Sequence, residues 1–135
     1  MADYNKFYGF VEALAEKKHN LGADTIKVAL CNAANAPVAT GAVLADLTTV
    51  DTTNLSPLTP TRISSSQTNG TYSLVLQDLT MTASAQVGPF RYVVLYNDTA
   101  TGDDLICWYD YGADITLNAG ETFTLDFGAT VLTLA

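Results

Sequence analysis

Oxygen ligands are densest between Asn97 and Asp104. Asn97, Asp98, Thr101, Asp103 and Asp104 crowd one stretch, with Asp110 and Asp114 beyond it. Carboxylates and amides on a tight loop are the donor set of calcium, so Asp98, Asp103 and Asp104 are the candidate metal ligands of the chain. The spacing does not fit an EF-hand, because the twelfth position counted from Asn97 is Trp108 and not Glu. The same residue types hydrogen-bond their own backbone in a hairpin loop, and that reading takes precedence. Asp103, Asp104 and Asp110 are also carboxylates of the type used in glycoside hydrolysis, but no cleft that would raise a pKa is indicated around them.

Other chemistry is sparse. The single histidine, His19, has no Gly-x-Ser-x-Gly element to work with, and it reads as a structural residue near a helix C-terminus. Cys31 and Cys107 lie in apolar strand-like runs and read as buried free thiols, although the sequence leaves a disulfide between them open. These residues are too scattered for a zinc site. No catalytic residue, no metal and no cofactor is expected, and the chain reads as a non-enzyme.

The strongest pattern is an aromatic hairpin. Phe90-Arg91-Tyr92-Val93-Val94-Leu95-Tyr96 enters the polar turn Asn97–Asp104, and Leu105-Ile106-Cys107-Trp108-Tyr109-Asp110-Tyr111 returns from it. Such runs, rich in β-branched and aromatic residues, predict adjacent antiparallel strands. In the return strand Trp108 faces opposite to Tyr109 and Tyr111. A hairpin aromatic on both faces suggests one face in the core and one against a neighbouring subunit. Tyr92, Tyr96, Trp108, Tyr109 and Tyr111 are therefore the candidate interface residues. Arg91, one of two arginines in the chain, is the candidate ion-pair anchor, with an intramolecular or intermolecular carboxylate as its partner.

The surrounding elements follow from periodicity. Phe7, Phe10, Val11 and Leu14 recur at helical spacing, which predicts an amphipathic helix over 4–21 with Asp3 as N-cap and Gly22 as C-cap. Residues 25–31 read as a strand with Ile26, Val28 and Leu30 on one face. Residues 33–60 hold three of the four prolines and read as an irregular arm reaching toward a partner or as a long loop, with Leu44, Leu47 and Val50 anchoring a helical turn. The antiparallel β body spans 61–135. In it, Asn69-Gly70 turns one hairpin, and a phase slip near Asp78 suggests a bulge or bend. A last unit joins 114–117 to 121–127 through Asn118-Ala119-Gly120, and Val131, Leu132 and Leu134 form a closing strand. The expected fold is mainly β. It is an antiparallel sandwich or barrel of about seven strands, preceded by one N-terminal helix, in a single domain over 1–135.

Charge narrows the partners. The net charge is -8 over 135 residues, and residues 1–27 are balanced. Beyond them only Arg62 and Arg91 oppose ten acids. Such a body repels phosphate backbones and anionic membranes, so neither direct nucleic-acid binding nor membrane binding is expected. Met1-Ala2-Asp3-Tyr4 leads into a polar stretch without a basic and apolar leader, so the expectation is a protein made in a reducing cytoplasm or exported by another route, such as cell lysis.

Several stretches resemble a group of small virion proteins of tailed bacteriophages. These are Asp3-Tyr4-Asn5-Lys6-Phe7 with Phe10-Val11-Glu12-Ala13-Leu14-Ala15-Glu16, Ser64–Tyr72, and Val87-Gly88-Pro89-Phe90-Arg91-Tyr92 through Trp108-Tyr109-Asp110-Tyr111-Gly112. The resemblance implies a structural component of the particle, a capsid decoration (cement) protein. Its partners would be the major capsid protein and copies of itself in a homotrimer. Its location would be the capsid surface of the virion, after synthesis in the bacterial host. A tail or fibre component, or a calcium- or carbohydrate-binding adhesion module, are the alternatives.

Overall fold

The computed structural model describes residues 2–135. Its elements follow in the order β1 (Asp3–Lys6), α1 (Gly9–Ala15), β2 (Ile26–Cys31), β3 (Leu55–Ser56), β4 (Arg62–Thr68), β5 (Thr71–Leu76), β6 (Leu79–Ala83), β7 (Val87–Asn97), β8 (Leu105–Leu117), β9 (Thr122–Leu125) and β10 (Leu132–Leu134). Short 3-10 turns occupy Ala33–Asn35 and Leu44–Asp46. The strands form antiparallel sheets in the orders β1-β8-β7-β2, β10-β5-β4 and β3-β6-β9. The mainly-β class holds, with ten strands where about seven were expected.

The aromatic hairpin is the spine. β7 and β8 pair from Val87↔Leu117 to Tyr96↔Leu105, and β2 and β1 flank them. One face of this sheet carries Ile26, Val28, Leu30, Val93, Leu95, Cys107 and Tyr109 into the main core. There they meet Leu74 and Leu76 of β5, Leu79 and Met81 of β6, and Leu125 of β9, which gives sandwich-like packing of the four-stranded sheet on both smaller sheets. The opposite face carries Ala29, Cys31, Tyr92, Val94, Leu105 and Trp108 into a second core closed by Phe7. A sheet covered on both faces explains the unbroken apolar runs Val93–Leu95 and Leu105–Tyr109. A register shift between Leu95 and Tyr96 leaves Ile106 unpaired, so Leu105 and Trp108 point to one face and Cys107 and Tyr109 to the other.

Three sequence expectations need correction. The helix does not span 4–21. Residues 3–6 form an edge strand on β8, Asp3 pairs with Asp110 instead of capping, and only Gly9–Ala15 is helical, with Tyr8 as N-cap. The helix stops because Lys17 adopts φ 70 and the Lys18 N–H bonds the Ala13 carbonyl, well before Gly22. Secondly, of the two readings of 33–60 the long loop fits and the free arm does not. Val50 N–H donates to Leu30 O, Leu58 O accepts from Val28 N–H, and Leu44 and Leu47 pack on the second core. These bonds cover the outer edge of β2, which would otherwise lie open. Thirdly, β9 pairs with β6 and not with the end of β8, although the turn at 118–120 is present.

Other readings match. β4 and β5 form the Asn69-Gly70 hairpin, Leu44–Asp46 is a helical turn, and β10 closes the chain. The slip at Asp78 is a change of sheet: β5 and β6, on either side, belong to different sheets. Cys31 and Cys107 are free and lie in different cores, so the sheet itself separates them. Burial pushes the Cys31 thiol up to about 11 and that of Cys107 up to about 12, so both stay protonated at neutral pH.

Candidate functional site

The aromatic candidates face inward more than outward. Tyr92, Trp108 and Tyr109 are buried, while Tyr96 and Tyr111 are half-buried. Trp108 packs on Phe7 at 4.6 Å between ring centroids, Tyr109 meets Tyr4 edge-on at 5.6 Å, and Tyr111 meets Phe123 at 5.0 Å. The face that was expected to meet a neighbour is covered by this chain's own Phe7 and by Ala39, Leu44 and Leu47. Little aromatic surface of the hairpin is left for a partner. Arg91 finds its carboxylate within the chain: its Nε donates to Asp110 Oδ1 at 2.9 Å and its Nη2 to Oδ2 at 3.3 Å. That bond and the Gly112 N–H hold the Asp110 carboxyl below its ordinary range.

The acidic loop is also dispersed. Asp98 is exposed and pairs with Lys27 at 3.4 Å, whereas Asp104 is only 9% exposed. Asp103 takes φ 52, a left-handed turn conformation that Asp tolerates. Among the described residues no group of three or more His, Cys, Asp or Glu side chains gathers as a metal site. The turn reading of this loop is the one its geometry carries, with Asn97 Oδ1 accepting from the N–H groups of Thr99 and Ala100.

What the structure assembles instead is a polar cluster around His19. The loop after α1 brings His19 and Asp24 against the end of β7. Asn97, fully buried, donates its amide to His19 Nδ1 at 3.0 Å and to Asp24 Oδ2 at 2.7 Å. Asp24 Oδ2 also accepts from Asn20 N–H at 2.8 Å. With Nδ1 accepting, the proton of the neutral ring sits on Nε2, and that buried atom has no partner among the described residues. Phe10 packs on the ring in a tilted arrangement, with the centroids 5.1 Å apart. Above the cluster opens a cleft of about 980 Å3 between residues 17–24, residues 99–104 and the Ser65–Tyr72 face of the β4–β5 hairpin. No protein-family model, curated protein or solved structure matches the chain.

Asn97 lies more than seventy positions from His19 and Asp24, which is why no local motif showed the cluster. One signal was present. Val93, Leu95 and Asn97 share the inward parity of β7, so Asn97 is an amide at a core position.

The cluster has a pH signature. Burial holds His19 below the ordinary imidazole range, against the pull of Asp104 and Asp24. The unfolded chain therefore takes up the proton first, and folding stability falls as pH drops below about 6.5. The urea midpoint is expected to be lower at about pH 5 than at about pH 7, and His19→Gln is expected to flatten that difference. Burial tends to raise Asp24, but hydrogen bonds from Asn97 and Asn20 outweigh it and leave the carboxyl lowered. The contribution of Asp24 is present above about 3.9 and is lost in a separate, more acidic window.

Proposed function

We propose that this chain is a non-enzymatic structural subunit of a tailed-phage particle, a capsid decoration protein that works through buried area and shape. The sequence resemblance supports the phage setting. The structural support is an exposed apolar end beside an open strand edge. Tyr8 is 66% exposed and Val38 62% exposed. The Tyr8 N–H donates to Ala39 O at 2.8 Å, which holds the two segments together, and exposed Val11 lies one helical turn from Tyr8. β1 is the outermost strand of its sheet, and Tyr4 on it is exposed. An apolar end with free backbone donors and acceptors is the surface by which a β-domain adds to another subunit.

The docking surface thus moves from the hairpin aromatics to Tyr4, Tyr8, Val11 and Val38. Homotrimerisation and contact with the major capsid protein would use this end. Light scattering of the purified protein and of the double variant Tyr8→Asp, Val38→Asp tests the reading. A trimer in the wild type that dissociates in the variant supports it. A wild-type monomer that also fails to co-sediment with phage shells overturns it. Quantitation of the chain in particles separates head from tail, since hundreds of copies mean capsid and few mean tail or fibre.

A further inference from the structure

The charges that line the cleft above His19 cancel. Lys17, Lys18, Asp24 and Asp104 all line it, together with buried His19. His19 is 5% exposed, and its Nε2 lacks a partner. Asp104, 9% exposed, forms no ion pair and accepts no side-chain hydrogen bond among the described residues. A carboxylate on a largely buried residue that has no side-chain donor within the chain and lines a cleft is available to a ligand.

We propose that this cleft binds an uncharged saccharide, with the Asp104 carboxylate accepting its hydroxyl protons. Several features select that class. The volume lies at the upper end of the range of about 300–1,000 Å3 typical of small-molecule sites. The Thr101 hydroxyl, the Ser65 and Tyr72 hydroxyls that bond each other at 2.7 Å, and the Thr99 hydroxyl that accepts from Thr25 N–H line the cleft and keep further donor and acceptor capacity, which suits a polyol. Leu14, Leu21 and Val43 supply apolar wall for the C–H faces of a sugar ring. Two lysines and two carboxylates leave the lining neutral, which favours an uncharged ligand over a phosphate, and among the described residues no three acidic, His or Cys side chains gather to hold a divalent cation. The inference stands apart from the assembly reading, because the cleft shares no residue with the Tyr8 and Val38 end.

The test is a titration of the full 15N-labelled chain with oligosaccharides of glucose, galactose and N-acetylglucosamine, with calcium chloride as a separate arm. At least one saccharide is expected to give saturable amide shifts confined to residues 17–24, 65–72 and 99–104. Asp104→Asn should weaken that binding about tenfold through loss of the charge-assisted acceptor. Thr101→Trp, on the exposed rim, should abolish it by filling the cleft while leaving the rest of the spectrum unchanged. If Asp104→Asn disturbs the fold, the Thr101→Trp comparison decides. No shift with any of these sugars, a shift untouched by Thr101→Trp, or saturation of the same residues by calcium alone overturns the proposal.

Discussion

Phe7→Ala is expected to lower folding stability by about 3–5 kcal/mol, a large share of the roughly 5–15 kcal/mol typical of a domain. Phe7 is fully buried and is the residue through which the N-terminal segment closes the second core. Its ring packs on Trp108 at 4.6 Å, and its N–H donates to Ile106 O at 3.3 Å. A Cβ placed on Gly41 would stand 3.4 Å from the Phe7 ring and 3.3 Å from Leu105, so the 39–47 segment crosses directly over that ring. Truncation therefore opens a cavity beneath a segment that has few other apolar anchors, chiefly Leu44 and Leu47. Urea unfolding should show the loss, and limited proteolysis should show earlier cleavage within 33–47. Phe7→Leu, which keeps most of the volume, should lose far less. A loss below about 1 kcal/mol for Phe7→Ala would mean that the second core is not a stabilising unit.

The same residue shows where the sequence misleads. Phe7, Phe10 and Leu14 fit a helical stripe, yet Phe7 lies between β1 and α1, and the stripe is real only from Gly9 to Ala15. β1 carries no β-branched residue, so its strand state is imposed by the edge of β8 and not by propensity. The helix end was equally silent, since Lys17 holds the left-handed turn where Gly is usual. By contrast β7 and β8 were legible, because long apolar runs around a polar turn admit few other structures. Their two-sided aromatic character was read correctly as two covered faces. Its attribution to a neighbour failed because the cover comes from Phe7, Ala39, Leu44 and Leu47, and no local pattern says which distant sheet face such residues will cover. The His19 cluster was illegible for a related reason: its members meet only after β2, β7 and the loop following α1 have packed.

That cluster yields the sharpest second test. Asn97→Ala removes the amide that serves His19, Asp24 and the 98–104 turn together. It leaves His19 Nδ1 without a donor beside an already unpartnered Nε2, while Thr99 and Ala100 N–H lose their acceptor. At about 1–3 kcal/mol for each buried group left unsatisfied, and with water reaching the more exposed partners, the expected loss is about 2–4 kcal/mol. Asn97→Asp separates hydrogen bonding from charge. It keeps the shape and the acceptor for the turn, but it sets a carboxylate against His19 Nδ1 and beside Asp24. A protonated His19 then has a counterion, so its folded pKa should rise above the unfolded value near about 6.5. The sign of the linkage inverts with it. The wild type is weakened as pH falls through that region, whereas Asn97→Asp should be relatively strengthened there and should weaken as pH rises toward about 8. Paired urea titrations at about pH 5 and about pH 8 read both slopes. If wild type and Asn97→Asp slope the same way, the ring does not exchange its proton against this amide, and the polar cluster is a passive filler of the interface between loop and sheet.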